Sequence, residues 1–128
     1  MARWRVVLLI LLIGCAWEEP DNNDGNQRPS PPLVTGPDEG YPGERLEFTV
    51  SVYDPDGGRL RVFVAWGDGD TSDYGDFVYS GETVLFEHSY ARADTFLIRA
   101  RCHDLEPLFS DWSTPRRVVI VQPPEQGP

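Results

Sequence analysis

The sequence contains no lysine; its eleven basic side chains are all arginine, set against twenty-one acids for a formal net charge of −10. Phosphate polymers are repelled by such a balance, and no basic stripe along the chain offsets it, so nucleic acid is not expected as a partner. Cysteine is scarce, with Cys15 and Cys102 alone, which excludes a disulfide-dense scaffold. No apolar run approaches the ~20 residues that span a bilayer as a helix. The longest, Val6 to Ile13, has eight. No segment keeps a helical period over ten or more residues. A nucleophile elbow, a phosphate loop and a clustered metal-ligand motif are also missing, so catalysis is not expected.

What is present begins with an address. Arg3 and Arg5 precede the apolar run, and Gly14 and Cys15 follow it. This is the charged, apolar and small-residue order of an export signal. Leu12-Ile13-Gly14-Cys15 resembles the bacterial lipobox. That resemblance implies removal of residues 1–14, acylation of Cys15 and a membrane held through the lipid anchor. Ala16 stands where inner-membrane retention signals carry Asp, which implies the outer membrane in a Gram-negative host. Residues 15–31 are polar and rich in proline, too poor in apolar surface to fold, and are expected to be a flexible tether. Acylation would consume the Cys15 thiol and leave Cys102 unpaired.

From Leu33 to Val121 the chain alternates. Leu46, Phe48, Val50 and Val52 share one face of a strand, with Glu47, Thr49 and Ser51 on the other. Leu60, Val62, Val64 and Trp66 repeat the pattern, as do Phe96, Ile98, Ala100 and Cys102. Short strands also read from Thr83 to Glu87 and from Arg116 to Val121. Asp54-Pro-Asp-Gly-Gly58 and Gly67-Asp-Gly-Asp70 supply turns. Strands at this spacing predict an all-β sandwich of two face-packed sheets, with Trp66 as a core anchor.

Four motifs in order resemble the PKD domain family: Asp54-Pro-Asp-Gly-Gly58; Trp66-Gly-Asp-Gly69; His88-Ser-Tyr90 with Asp94-Thr-Phe96 and Asp104; and Ser110-Asp-Trp-Ser113. Ala65, Asp94 and Gly58 depart from the family's usual Asp, Gly and acid. The resemblance implies an immunoglobulin-like β-sandwich of about seven antiparallel strands in two sheets. The expected division is 1–14 signal, 15–31 lipidated Cys and tether, 32–121 PKD-like domain, and 122–128 polar tail.

Each candidate site has a plainer alternative. Asp54, Asp56 and Asp104, with Asp68, Asp70, Asp73 and Glu106 nearby in sequence, are oxygen donors of the kind calcium needs, and some PKD-like domains bind calcium near their loops. Asp and Gly are equally what turns use, and the loss of an acid at Gly58 weakens the site. No other cofactor is expected. His88, His103 and Cys102 do not make a zinc or nucleophile set, because Cys102 faces inward and His103 outward. His88 and Tyr90 are expected to cap backbone groups at a corner, and Trp66 and Trp112 to be structural. Tyr74, Phe77 and Tyr79 are expected to lie on an edge strand with one face open, forming a ligand-binding patch. The function these features imply is a non-catalytic envelope lipoprotein that contacts a protein or polysaccharide. The alternative is an accessory subunit or spacer of an envelope complex.

Overall fold

The computed structural model describes residues 25–125. The expected signal 1–14, Cys15, the tether up to residue 24 and the end of the tail lie outside the described residues.

Eight strands form: β1 (Leu33–Thr35), β2 (Glu39–Gly40), β3 (Leu46–Ser51), β4 (Arg59–Ala65), β5 (Val78–Tyr79), β6 (Thr83–His88), β7 (Asp94–His103) and β8 (Arg116–Ile120). They build a three-stranded sheet, β1-β3-β6, and a five-stranded sheet, β2-β8-β7-β4-β5. No helix is present among the described residues. Alternation sets the register, because a slip of one residue would turn every apolar side chain to solvent. Leu46 pairs with His88 and Ser51 with Thr83 across β3 and β6. Arg61 pairs with His103 and Ala65 with Arg99 across β4 and β7.

The core lies between the sheets. Phe48, Val50, Leu60, Val64, Ile98, Ala100, Cys102 and Val118 are fully buried in it, with Trp66 and Tyr90 at one end. Each fully buried aliphatic or Phe side chain contributes ~1.5–3 kcal/mol. Cys102 sits among them, and burial pushes its thiol up to about 11, with the Ser110 hydroxyl opposing and the charges of Asp54 and Asp104 adding to the rise. It is therefore a small core hydrophobe.

Two expectations are corrected. The pairing is not all antiparallel, because β2 runs parallel to β8, with Glu39 opposite Val119 and Gly40 opposite Ile120. β1 buries Val34 and pairs with β3. Gly36 and Pro37 then carry the chain across to the other sheet. Proline has no amide to donate, so pairing with β3 stops there and resumes beside β8. The second correction concerns the tether, whose last residues lie along the base of the sandwich. Asn26 Nδ2 donates to Asp104 at 3.1 Å, and the Gln27 amide donates to Asp56. Arg28 reaches the Phe109 carbonyl at 3.0 Å and Asp111 at 2.6 Å. The Ser30 amide donates to the Tyr53 carbonyl at 2.9 Å. A polar segment builds no core of its own, but it can still hydrogen-bond to loops that are already ordered.

Candidate functional site

Three constellations bring together residues that carry chemistry. The first is the base of the sandwich, where the expected calcium ligands lie around a shallow pocket with Asn26 and Glu106. Asp54 and Asp104 are both buried. Asp54 Oδ1 accepts the Asp56 amide at 2.8 Å. Asp104 Oδ1 accepts the Glu106 amide at 2.9 Å and the Leu108 amide at 2.7 Å. Burial pushes the Asp54 carboxyl up; the Asp56 amide opposes this, and the charges of Asp56 and Asp104 add to it. Burial also acts on Asp104, but the Leu108, Asn26 and Glu106 donors outweigh it and hold that carboxyl below the usual range. The three aspartates do not bring one oxygen each within 4.8 Å of the others. Their oxygens anchor turns, and the donor set does not fit a compact calcium site.

The second constellation is the corner at the other end. The Tyr90 hydroxyl donates to the Trp66 carbonyl at 2.8 Å, and Tyr90 stacks on Phe96 at 4.2 Å. His88 lies parallel to the Trp66 ring at 4.5 Å, and its Nε2 meets Asp68 Oδ2 at 2.7 Å. His88 thus bonds a carboxylate rather than the expected backbone groups. Burial acts to raise the Asp68 carboxyl, but the hydrogen bonds from His88 and the Asp70 amide outweigh it, and the net shift is downward. Asp68, Asp70 and His88 offer atoms within 4.8 Å of one another. The short His88–Asp68 contact, flush against Trp66, ties the Trp66–Asp70 loop to β6. That loop also touches β7: Gly67, at φ +90°, lies so near Leu97 that a Cβ would stand 2.6 Å from its carbonyl oxygen.

The third constellation is the outer face of the five-stranded sheet. Alternation that buries Leu60, Val62 and Val64 turns Arg59, Arg61 and Phe63 outward. On β7 it turns out Leu97, Arg99, Arg101 and His103, and on β8 Arg117 and Val119. Pairing sets Phe63 beside Arg101 and Leu97 beside Arg117. Loop aromatics then close over this row. The Arg61 guanidinium lies 4.6 Å from the Phe77 ring. That of Arg101 lies 4.7 Å from Phe109 and 4.9 Å from Trp112. Tyr74 stacks on Phe63 at 5.0 Å and meets His103 at 5.2 Å. Each such cation–ring contact contributes ~0.5–2 kcal/mol.

Among the described residues, the charges here lack carboxylate partners, unlike those elsewhere on the molecule. Arg28, Arg45, Arg92 and Arg116 each have a carboxylate partner, in Asp111, Glu87, Asp94 and Asp38. Among the described residues, Arg59, Arg61, Arg99, Arg101 and Arg117 have none. The Nε atoms of Arg61 and Arg101 are covered and lack a hydrogen-bond partner. The expectation that no basic stripe exists is therefore corrected: one forms in space from three strands distant in sequence. The expected aromatic patch is also revised. Only Val78–Tyr79 form the edge strand, because Gly75 and Asp76 hold the chain in a loop. Tyr74 and Phe77 join the arginine face, and Tyr79, opposite Arg59, stays 62% exposed at its edge. Trp112 is on this face as well, 38% exposed rather than buried in the sandwich.

Two face-packed, antiparallel-dominated sheets and a tryptophan–tyrosine corner define an immunoglobulin-like β-sandwich. No protein-family model matches the sequence, and no curated protein matches it. Among solved structures, the PKD domain of an M14-like peptidase from Thermoplasmatales archaeon SCGC AB-540-F20 is 31% identical. The match covers 78% of this chain and 100% of that one, with a TM-score of 0.69. The chain belongs to the PKD domain family. A CARDB domain of a Pyrococcus furiosus protein, solved in complex with di-metal ions, shares the fold at 17% identity and a TM-score of 0.55. That match covers 75% of this chain and 93% of the other. Both neighbours share the immunoglobulin-like fold of this chain.

Proposed function

We propose that this protein is an exported lipoprotein that holds a PKD-type module at the cell surface. Cys15 carries the acyl anchor after residues 1–14 are removed. The module meets a protein or polysaccharide partner through the outer face of the five-stranded sheet. The observation that carries the reading is the gathering on one face of an acidic molecule of five arginines without a carboxylate partner among the described residues, four of them beside aromatic rings. Arg61 and Arg101 are partly covered with their Nε atoms lacking a hydrogen-bond partner among the described residues, and a bound partner would supply the missing acceptors. Asn26, Gln27, Arg28 and Ser30 hydrogen-bond at the base of the sandwich, which is consistent with a tether that would leave the domain from that end.

Two measurements test this. Mass spectrometry of the mature protein should give an N-terminal acylated Cys15, and an N-terminus elsewhere refutes the anchor. Affinity recovery from detergent-solubilised envelopes should return a partner with the natural chain. Recovery should fail with the double substitution Arg61→Gln and Arg101→Gln. Recovery that ignores those substitutions refutes the face.

A further inference from the structure

The outer face carries more information than its charge. Its cations are regularly placed. Alternate residues on a strand stand ~6.8 Å apart, and neighbouring strands ~4.8 Å. Arg59 and Arg61 on β4, Arg101 and Arg99 on β7, and Arg117 on β8 therefore follow one slanting line across three strands. The line runs along the outward side of the sheet, an extended row that suits a long ligand better than a small one, which needs enclosure. It suits an extended polymer that repeats a negative charge.

The rings narrow the choice. Phe77, Phe109 and Trp112 lie against the guanidiniums instead of projecting from the face. Insertion into a lipid surface needs side chains that protrude, and these do not. They do offer flat apolar surface between the cations, which is what the C–H face of a sugar ring packs on. The guanidinium, in turn, presents a planar fork that matches a carboxylate at two points. Stacking also fixes the arginine side chains before binding, so less conformational entropy is lost when the ligand arrives.

We propose that this face binds a uronate-bearing polysaccharide, with Arg61 and Arg101 taking carboxylates and Trp112 packing on a sugar ring. The proposal rests on the reading of this face as the module's binding surface. The acidity of the rest of the molecule confines an anionic chain to this stripe.

Titration calorimetry on the full chain in detergent, with defined polymers, is the test. Polygalacturonate should bind, with affinity that falls as salt rises. The same polymer with its carboxyls methyl-esterified should bind at least about tenfold more weakly. Arg61→Gln and Arg101→Gln should each cost about tenfold, the size of one charge-assisted contact. Arg45→Gln, whose side chain pairs with Glu87 on the other sheet, should cost nothing. Trp112→Ala should weaken polygalacturonate more than poly-glutamate, since both lose a ring that holds Arg101 but only the sugar packs on it. Circular dichroism must show each variant folded. Equal binding of the esterified polymer, or indifference to the arginine substitutions, overturns the proposal. So does poly-glutamate binding as tightly as polygalacturonate with Trp112→Ala weakening the two equally or not at all, which would mark a face for acidic protein. If no polymer binds while an envelope protein is still recovered through Arg61 and Arg101, the saccharide falls and the interaction face stands. Loss of both removes the two together.

Discussion

Gly67 offers the sharpest test of how the corner is built. A methyl group there would stand 2.6 Å from the Leu97 carbonyl oxygen and 2.9 Å from its nitrogen, where ordinary contact begins near 3.4 Å. Both are backbone atoms of β7, which is pinned between β4 and β8, so neither side can yield cheaply. The residue also sits at φ +90°, which an L side chain tolerates at a cost of ~1–2 kcal/mol. Overpacking adds ~1–3 kcal/mol. Gly67→Ala should therefore destabilise the domain by about 2–5 kcal/mol. In a domain of this size that lowers the melting temperature by roughly 8–40 °C. Gly69 supplies the control. Its φ is +98°, but nothing lies within 4 Å of a Cβ built on it. Gly69→Ala should incur the conformational cost alone, about 4–15 °C. Differential scanning calorimetry of the two variants isolates the close approach. Equal losses at the two positions would refute the argument that contact with β7, rather than backbone conformation, requires glycine at 67.

Three further outcomes are expected. Tyr90→Phe removes the hydroxyl that donates to the Trp66 carbonyl and should cost ~1–2 kcal/mol, read as a lower urea midpoint with an unchanged slope. Asp68 and Asp104 have folded values held below the ordinary 3.8, so they contribute stability that is present above that value. It should be lost as pH falls through the lower folded values, and Asp68→Asn should flatten that acid limb of a urea-midpoint profile. The Cys102 thiol, buried and pushed up to about 11, should resist a thiol reagent at pH 8 in the native state and react once urea unfolds the chain.

Strands with long alternation were legible in the sequence. The run Thr95 to His103 reads directly as a strand with Cys102 inward and His103 outward, and β7 adds only Asp94. β1 and β2 were not legible. Three and two residues are too short for a period to register, and their sheet change depends on where Pro37 ends pairing. The corner was visible as motifs, but the partner of His88 was not, because Asp68 lies twenty residues away and meets it only through the fold. The arginine face was hidden for a similar reason. Arg59 and Arg61, Arg99 and Arg101, and Arg117 look like solvated positions on separate amphipathic strands. Sheet pairing alone places them side by side, and no local pattern states that β4, β7 and β8 are neighbours.

The parallel pairing of β2 with β8 has a mechanical consequence. The Val119 amide donates to the Asp38 carbonyl and the Val121 amide to the Gly40 carbonyl, both at 2.9 Å, and Arg116 adds an ion pair to Asp38. Suppose the domain is pulled apart by residue 25 at one side and residue 121 at the other. Two parallel strands drawn in opposite directions slide along each other, so these bonds bear the load together. An antiparallel hairpin under tension opens like a zip, one bond after another. A short strand that adds little to the core therefore serves as a shear clamp. It closes the sandwich against force applied along the line from tether to tail.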